Sequence, residues 1–207
     1  MADIMDLLKG QLSEGLLDQL TQQIGAKDRQ QTATAAEGIV ETLMAALAKN
    51  SRTPEGASAL NNALEKDHDG SILEDVAGYL GGNRQAQNTR MTNGAGILKH
   101  VLGGNAGNIA DMIGNLSGLQ GKQTGSLMAT LAPLVLGALG KQKRQNNLDQ
   151  GGIADILGQV AGMQKQRNQK QQSPLGGLVN SFLDKDGDGS IIDDVAGMLG
   201  NFMRRKK

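Results

Sequence analysis

Two stretches of the chain concentrate the residues able to bind a hard cation. The first runs Glu65, Asp67, Asp69, Gly70, Ser71, with Glu74 and Asp75 following. The second runs Asp184, Asp186, Asp188, Gly189, Ser190, with Asp193 and Asp194 following. Acids at alternate positions, then a glycine for the sharp turn, are the arrangement by which a short loop presents oxygens to Ca2+. Each loop packs five carboxylates into eleven residues with one lysine, a density that a cation or open solvent must relieve. Both loops depart from the full pattern at the twelfth position. Val76 and Val195 stand where a bidentate glutamate closes the coordination shell. The expected ligands are therefore Glu65, Asp67, Asp69, Ser71 and Asp75 in one loop. In the other they are Asp184, Asp186, Asp188, Ser190 and Asp194. Weak Ca2+ binding is the expectation, with Asp75 and Asp194 completing the shell.

A second reading competes on the same residues. Asp-Gly-Ser is turn chemistry. Ser71 with Glu74, and Ser190 with Asp193, have the spacing of a helix capping box. On that reading the acidic turns are helix caps and bind no metal.

The loops sit within a repeat. Residues 64–81 and 183–200 align without gaps at an offset of 119, each an acidic turn running into a short apolar helix. A second echo, at an offset of 92, relates Ile24–Lys49 to Leu116–Lys141. Both read as a helix end, a short turn and a long apolar helix. Two weakly related halves follow from this. The first spans 1–82 and holds loop 65–76. A linker at 83–93 leads to a second helical part at 94–163. A Gln/Lys/Arg tract at 164–172 reads as a further linker. Residues 173–207 are expected to form helix, acidic loop 184–195, and helix.

The elements that position the loops read as helices throughout. Apolar residues recur every three to four positions in nearly every segment. Ile39, Val40, Leu43, Met44 and Leu47 mark one helix, ending near Asn50. Thr53-Pro54 is a cap and first-turn proline for the next. Ile72 to Leu80 reads as the helix leaving the first loop. The stretch 122–141 is the most apolar, with Pro133 as an expected kink. The fold class is all-α, a compact array of about eight to ten short helices.

Composition narrows the function classes. Twenty-one basic and 21 acidic residues give formal neutrality, so no general attraction to nucleic acid is expected. No cysteine is present, which removes disulfides, thiolate metal sites and cysteine nucleophiles. With no Trp, one Tyr and two Phe, the core must be built from aliphatic side chains and Met. The apolar run Leu127 to Leu139 is too short to span a bilayer. The N-terminus lacks the basic start of a secretory signal, so a cytoplasmic location is expected. His68 is expected to be solvated and His100 partly buried, and neither has a Cys or a second His at metal-ligand spacing. No nucleophile–base motif or phosphate-binding loop is evident, so no enzymatic activity is expected.

The segments Gly94-Ala95-Gly96-Ile97-Leu98-Lys99-His100-Val101-Leu102-Gly103-Gly104 and Leu131-Ala132-Pro133-Leu134-Val135-Leu136-Gly137-Ala138-Leu139-Gly140 resemble the hallmark segments of the YidB-like family. The resemblance covers roughly residues 4–141. It implies a compact all-α fold of bacterial type and brings no catalytic residues. The tail from 173 resembles single calcium loops of the EF-hand or dockerin type. The combined expectation is a non-enzymatic module, stabilised or modulated by Ca2+. It would associate with itself or with another protein through Leu- and Gly-rich helices.

Overall fold

The computed structural model describes residues 14–82 and 89–170, with only the helical course given for Glu14 and for 163–170. Among the described residues every element is helical. Helix α1 spans Glu14–Gln23, α2 Arg29–Asn50 and α3 Pro54–Lys66. A 3-10 turn at Ser71–Glu74 leads into α4, Val76–Leu80. Then follow α5 Thr89–Thr92, α6 Gly94–Leu102 and a 3-10 turn at Gly103–Asn105. Helices α7 Ala106–Ser117, α8 Gly121–Gln145 and α9 Gln150–Lys170 complete the described chain.

The starts of the helices follow local chemistry. Asp28 caps α2, its Oδ1 accepting the N–H of Gln30 at 2.7 Å and of Gln31 at 3.3 Å. Thr53 caps α3 by accepting the Gly56 N–H at 3.1 Å, with Pro54 in the first turn where its missing donor costs nothing. Asn93 does the same for α6 through the Gly96 N–H.

Helices α2 and α8 are the two longest of these elements to be buried on most sides, and they pack against each other. Neither is amphipathic in the ordinary sense. Their polar core residues satisfy themselves: Thr42 Oγ1 donates to Gly38 O at 2.7 Å and Thr124 Oγ1 to Gln120 O at 3.1 Å. Around this pair, α1, α6, α7 and α9 pack on α2, while α3, α6, α7 and the first acidic turn pack on α8. The two expected halves therefore share one core. A single buried cluster runs from Leu16 to Ala161. The turns before α2 and α8 each hold a glycine at positive φ, Gly25 and Gly118, and Gln123 Nε2 joins the two by donating to Gly25 O at 2.8 Å.

Helix α8 carries Pro133 in its interior. Proline has no N–H for the carbonyl four residues back, so Ala129 O loses its helical donor. Gly94 packs directly on that carbonyl, and a methyl group there would collide with it. One residue on, Thr130 O accepts the Tyr79 hydroxyl at 3.2 Å. Further along, Gly137 receives Ile72, and Gly140 receives the backbone carbonyl of His68. Segment 94–104 thus meets α8 through Gly94 at Ala129, two residues before segment 131–140.

Four expectations are corrected. The polar stretch before Asn93 is not linker throughout, since Thr89–Thr92 is a helical turn. The Gln/Lys/Arg tract continues α9 as far as Lys170, because straight-chain residues are good helix formers once a packed helix precedes them. The single helix expected over Ile72–Leu80 is a 3-10 turn and a short α-helix, broken at Asp75. Finally, α8 is 25 residues long and apolar enough, by length and composition, to cross a membrane. Yet 72% of its most apolar window is buried within the protein, as befits a core helix.

The glycine contacts yield a sharp contrast. Gly140→Ala is expected to destabilise the protein by about 3 kcal/mol, because backbone must move to admit the methyl group. Gly158→Ala, in the exposed interior of α9 with open space around it, is expected to stabilise by roughly 0.5–1 kcal/mol. Chemical denaturation of both variants checks this; similar effects in the two would refute the close-approach account.

Candidate functional site

The first acidic turn folds as a bridge between α3 and α8 rather than as a cup. Glu65, on the last turn of α3, accepts the Lys143 ammonium at 2.9 Å and the Asn61 amide at 3.3 Å. Lys143 also donates to Leu148 O at 3.1 Å, so it ties the ends of α3, α8 and the α8–α9 connection together. Asp69 Oδ1 accepts the Ser71 N–H at 3.0 Å, and its Oδ2 accepts the Arg144 guanidinium at 3.0 Å. Gly70 lies at φ +94° with its α-carbon against the backbone of Lys141. A side chain at that φ would be strained, and none would fit. Asp75 turns away and caps α4, accepting the Gly78 N–H at 2.8 Å.

The five expected ligands of this loop therefore do not converge. Two carboxylates are turned to cations of α8, one to a helix cap, and Asp67 sits at the C-terminal cap of α3. Among the described residues no group of three or more His, Asp or Glu side chains is placed to hold a metal ion. The helix-cap reading is right in kind and wrong in residue. Asp75 makes the cap, whereas the 3-10 turn starts at Gly70 with no side-chain cap from Ser71 or Glu74. The second loop, with Asp184, Asp186, Asp188, Ser190 and Asp194, lies outside the described residues.

The electrostatics follow from these partners. The Lys143 hydrogen bond and charge hold the Glu65 carboxyl below its usual range. The Ser71 N–H, chiefly, and Arg144 do the same for Asp69. His68 is 4% exposed, contrary to the expected solvated residue, and its Nδ1 has no hydrogen-bond partner. Burial lowers its pKa, although Asp67 and Asp69 act to raise it. Docking the His68 carbonyl on Gly140 carries the imidazole inward, which explains the burial. His100, expected to be partly buried, is exposed.

Beside the turn lies a groove of about 930 Å³. The end of α2, the face of α3 and the face of α6 form its walls. Leu47, Leu60, Ile97 and Leu136 line it with apolar surface, and Lys49, Lys66 and Arg90 bring positive charge. Asp67, His68 and His100 also line it. Asn50 Nδ2 spans the α2 and α6 walls by donating to Val101 O at 3.1 Å. Neither histidine has a hydrogen-bonded acid or hydroxyl beside it among the described residues.

A family model matches residues 6–142: the bacterial proteins of unknown function termed DUF937. The chain belongs to this family. The match covers α1 through most of α8, including the whole first acidic turn and the groove, and ends as α8 reaches Lys143. Comparison with curated proteins and with solved structures gave no match.

Lys143 and Arg144 were the residues that sequence reasoning missed. Their signal was visible only as two cations ending the most apolar helix, some 75 residues from their partners. Tyr79 was missed for the same reason.

Two titrations check the geometry. Tyr79 is the only tyrosine, and burial pushes its hydroxyl from the ordinary 10.0 up to about 12. Its ionisation, read by near-ultraviolet absorbance, should occur near pH 12. Stability should fall as pH rises from 10 towards that value, since only the unfolded chain ionises there. A midpoint near 10 in the folded protein would sink the buried hydrogen bond to Thr130. For His68 the sign is opposite. Its folded pKa lies below the ordinary 6.5, so its contribution is intact above 6.5 and is lost as pH falls towards the folded value. The melting temperature should decline across that window, and His68→Gln should flatten the decline. An unchanged slope in the variant would show that another group is responsible.

Proposed function

We propose that the protein is a non-enzymatic helical interaction module in which the first acidic turn is a charged latch. The observation that carries this reading is the commitment of its carboxylates to protein partners. Glu65 and Asp69 hold Lys143 and Arg144, and Asp75 caps α4. A turn arranged this way fastens α3 and α4 onto α8 and needs no cation to relieve its charge. The lysine is the stronger half of the clamp, being only 14% exposed at its side chain, while Arg144 is 64% exposed and screened by water. The groove between α2, α3 and α6 supplies the interaction surface, with apolar lining and cationic rim suited to an acidic, apolar partner.

A Ca2+-binding role remains a separate proposal for the second acidic loop, whose residues Asp184, Asp186 and Asp188 keep the alternate-acid spacing. One experiment separates the two. Thermal melting is followed with and without millimolar-range Ca2+, chelator serving as control, in the full chain and in three variants. The latch reading expects no shift that depends on Asp69. It also expects Lys143→Met to lower the melting temperature in chelator. A Ca2+-induced rise abolished by Asp69→Asn would overturn the latch. A rise abolished only by Asp186→Asn would assign Ca2+ to the second loop.

A further inference from the structure

We propose that the groove is the docking site of the chain's own C-terminal segment, residues 173–200, which lie outside the described residues. The inference rests on the reading of the groove as a binding surface and names its occupant.

Charge and polarity match. The groove offers Lys49, Lys66 and Arg90 around Leu47, Leu60, Ile97 and Leu136. The segment carries Asp184, Asp186, Asp188, Asp193 and Asp194 against the single Lys185, interleaved with Leu178, Phe182, Leu183 and Ile191. Such complementarity fixes register and orientation as well as attracting the partner. The imidazole of His68, buried and lacking a partner at Nδ1, forms part of the wall.

The molecule also contains its own precedent. Residues 183–200 repeat residues 64–81 with 13 of 18 positions identical. That first copy docks at the C-terminal end of α8, against Gly137, Gly140 and Lys141, with Asp69 on Arg144. The end of α2 echoes the end of α8 at an offset of 92. Ala45 answers Gly137, Ala48 answers Gly140, Lys49 answers Lys141, and Arg52 answers Arg144. Asp188 is the counterpart of Asp69, so its partner is Arg52, which is exposed beside the groove-lining Asn50 and Thr53. Ala45 and Ala48 are already covered, so the segment meets α2 at its last turn, from Lys49 onward.

The tether fits. Helix α9 packs on both α2 and α3, the helices that wall the groove, and its end at Lys170 stands three positions before Ser173. Docking within one chain is favoured by the high effective concentration that a short connection gives.

The absence of cysteine allows a direct test. In the full chain, Ala59→Cys on the groove wall is paired with Ser190→Cys, and Asp111→Cys, on α7 outside the groove, is paired with it as control. Ala59 and Asp111 are both exposed, and each variant is first shown to melt like the parent. Oxidation is run at low protein concentration in chelator, so that the outcome does not depend on Ca2+, and is read by mobility on a non-reducing gel. The expected result is a disulfide within one chain for the Ala59 pair, several-fold more abundant than for the Asp111 pair. Adding Arg52→Asp should reduce it several-fold, and Asp188→Arg should then restore it. Equal yields from the two pairs would overturn the proposal, as would a disulfide chiefly between chains, or indifference to the charge exchange. Since the latch is tested through Asp69 and Lys143 with melting as readout, failure of either reading is distinguishable from failure of the other.

Discussion

The close approach of the first acidic turn to helix α8 is the contact on which the rest depends. The His68 carbonyl lies on Gly140, the Gly70 α-carbon on Lys141, and Ile72 on Gly137. Backbone approaches backbone at Gly140 and Gly70 because these two residues carry no β-carbon. At that distance dispersion contacts are dense, and the turn is fixed in position and register. The same helix face accommodates Gly94 at Ala129, where Pro133 has freed a carbonyl. Helix α8 is thus a rail, and α3, α4 and α6 are positioned by where they meet it.

Charge follows from that placement. Once the turn is seated, Glu65 and Asp69 necessarily face Lys143 and Arg144 at the end of α8. The exposed pairs add little by themselves in water. Their consequence is directional: they consume the carboxylates that a metal loop requires to point inward. Seating the turn also drives His68 into the interior and leaves the groove between α2, α3 and α6 alongside it. Latch and groove are therefore two results of one packing event. Lys49, Lys66 and Arg90 line the groove, whereas Lys143 and Arg144 of α8 hold Glu65 and Asp69.

Much of the fold was legible in the residues. The periodic Leu, Ile and Val positions gave helices, Asp28 and Thr53-Pro54 marked helix starts, and Asn50 marked an end, all from interactions within one turn of chain. The family match, over residues 6–142, nearly coincides with the 4–141 over which a resemblance to a bacterial family was expected. The candidate site was legible only as a cluster of acids. Its spacing suits a cation and suits a capped turn equally, since both use carboxylates beside a glycine. The boundaries were less legible where tertiary packing extends or breaks a helix, as at Asp75 and along 164–170.

By itself the sequence determined the all-α class, the repeated acidic turns, the aliphatic core and the absence of thiol chemistry, because these are properties of composition and short-range pattern. Only the tertiary structure decided where each carboxylate points. Glu65 and Asp69 find Lys143 and Arg144 across 78 and 75 positions of chain, through the meeting of two helices at a glycine face. The burial of His68 and the hydrogen bond of Tyr79 to Thr130 arise in the same way. A side chain's partner is set by what packs beside it, and that neighbour is specified by the whole core rather than by the residues on either side.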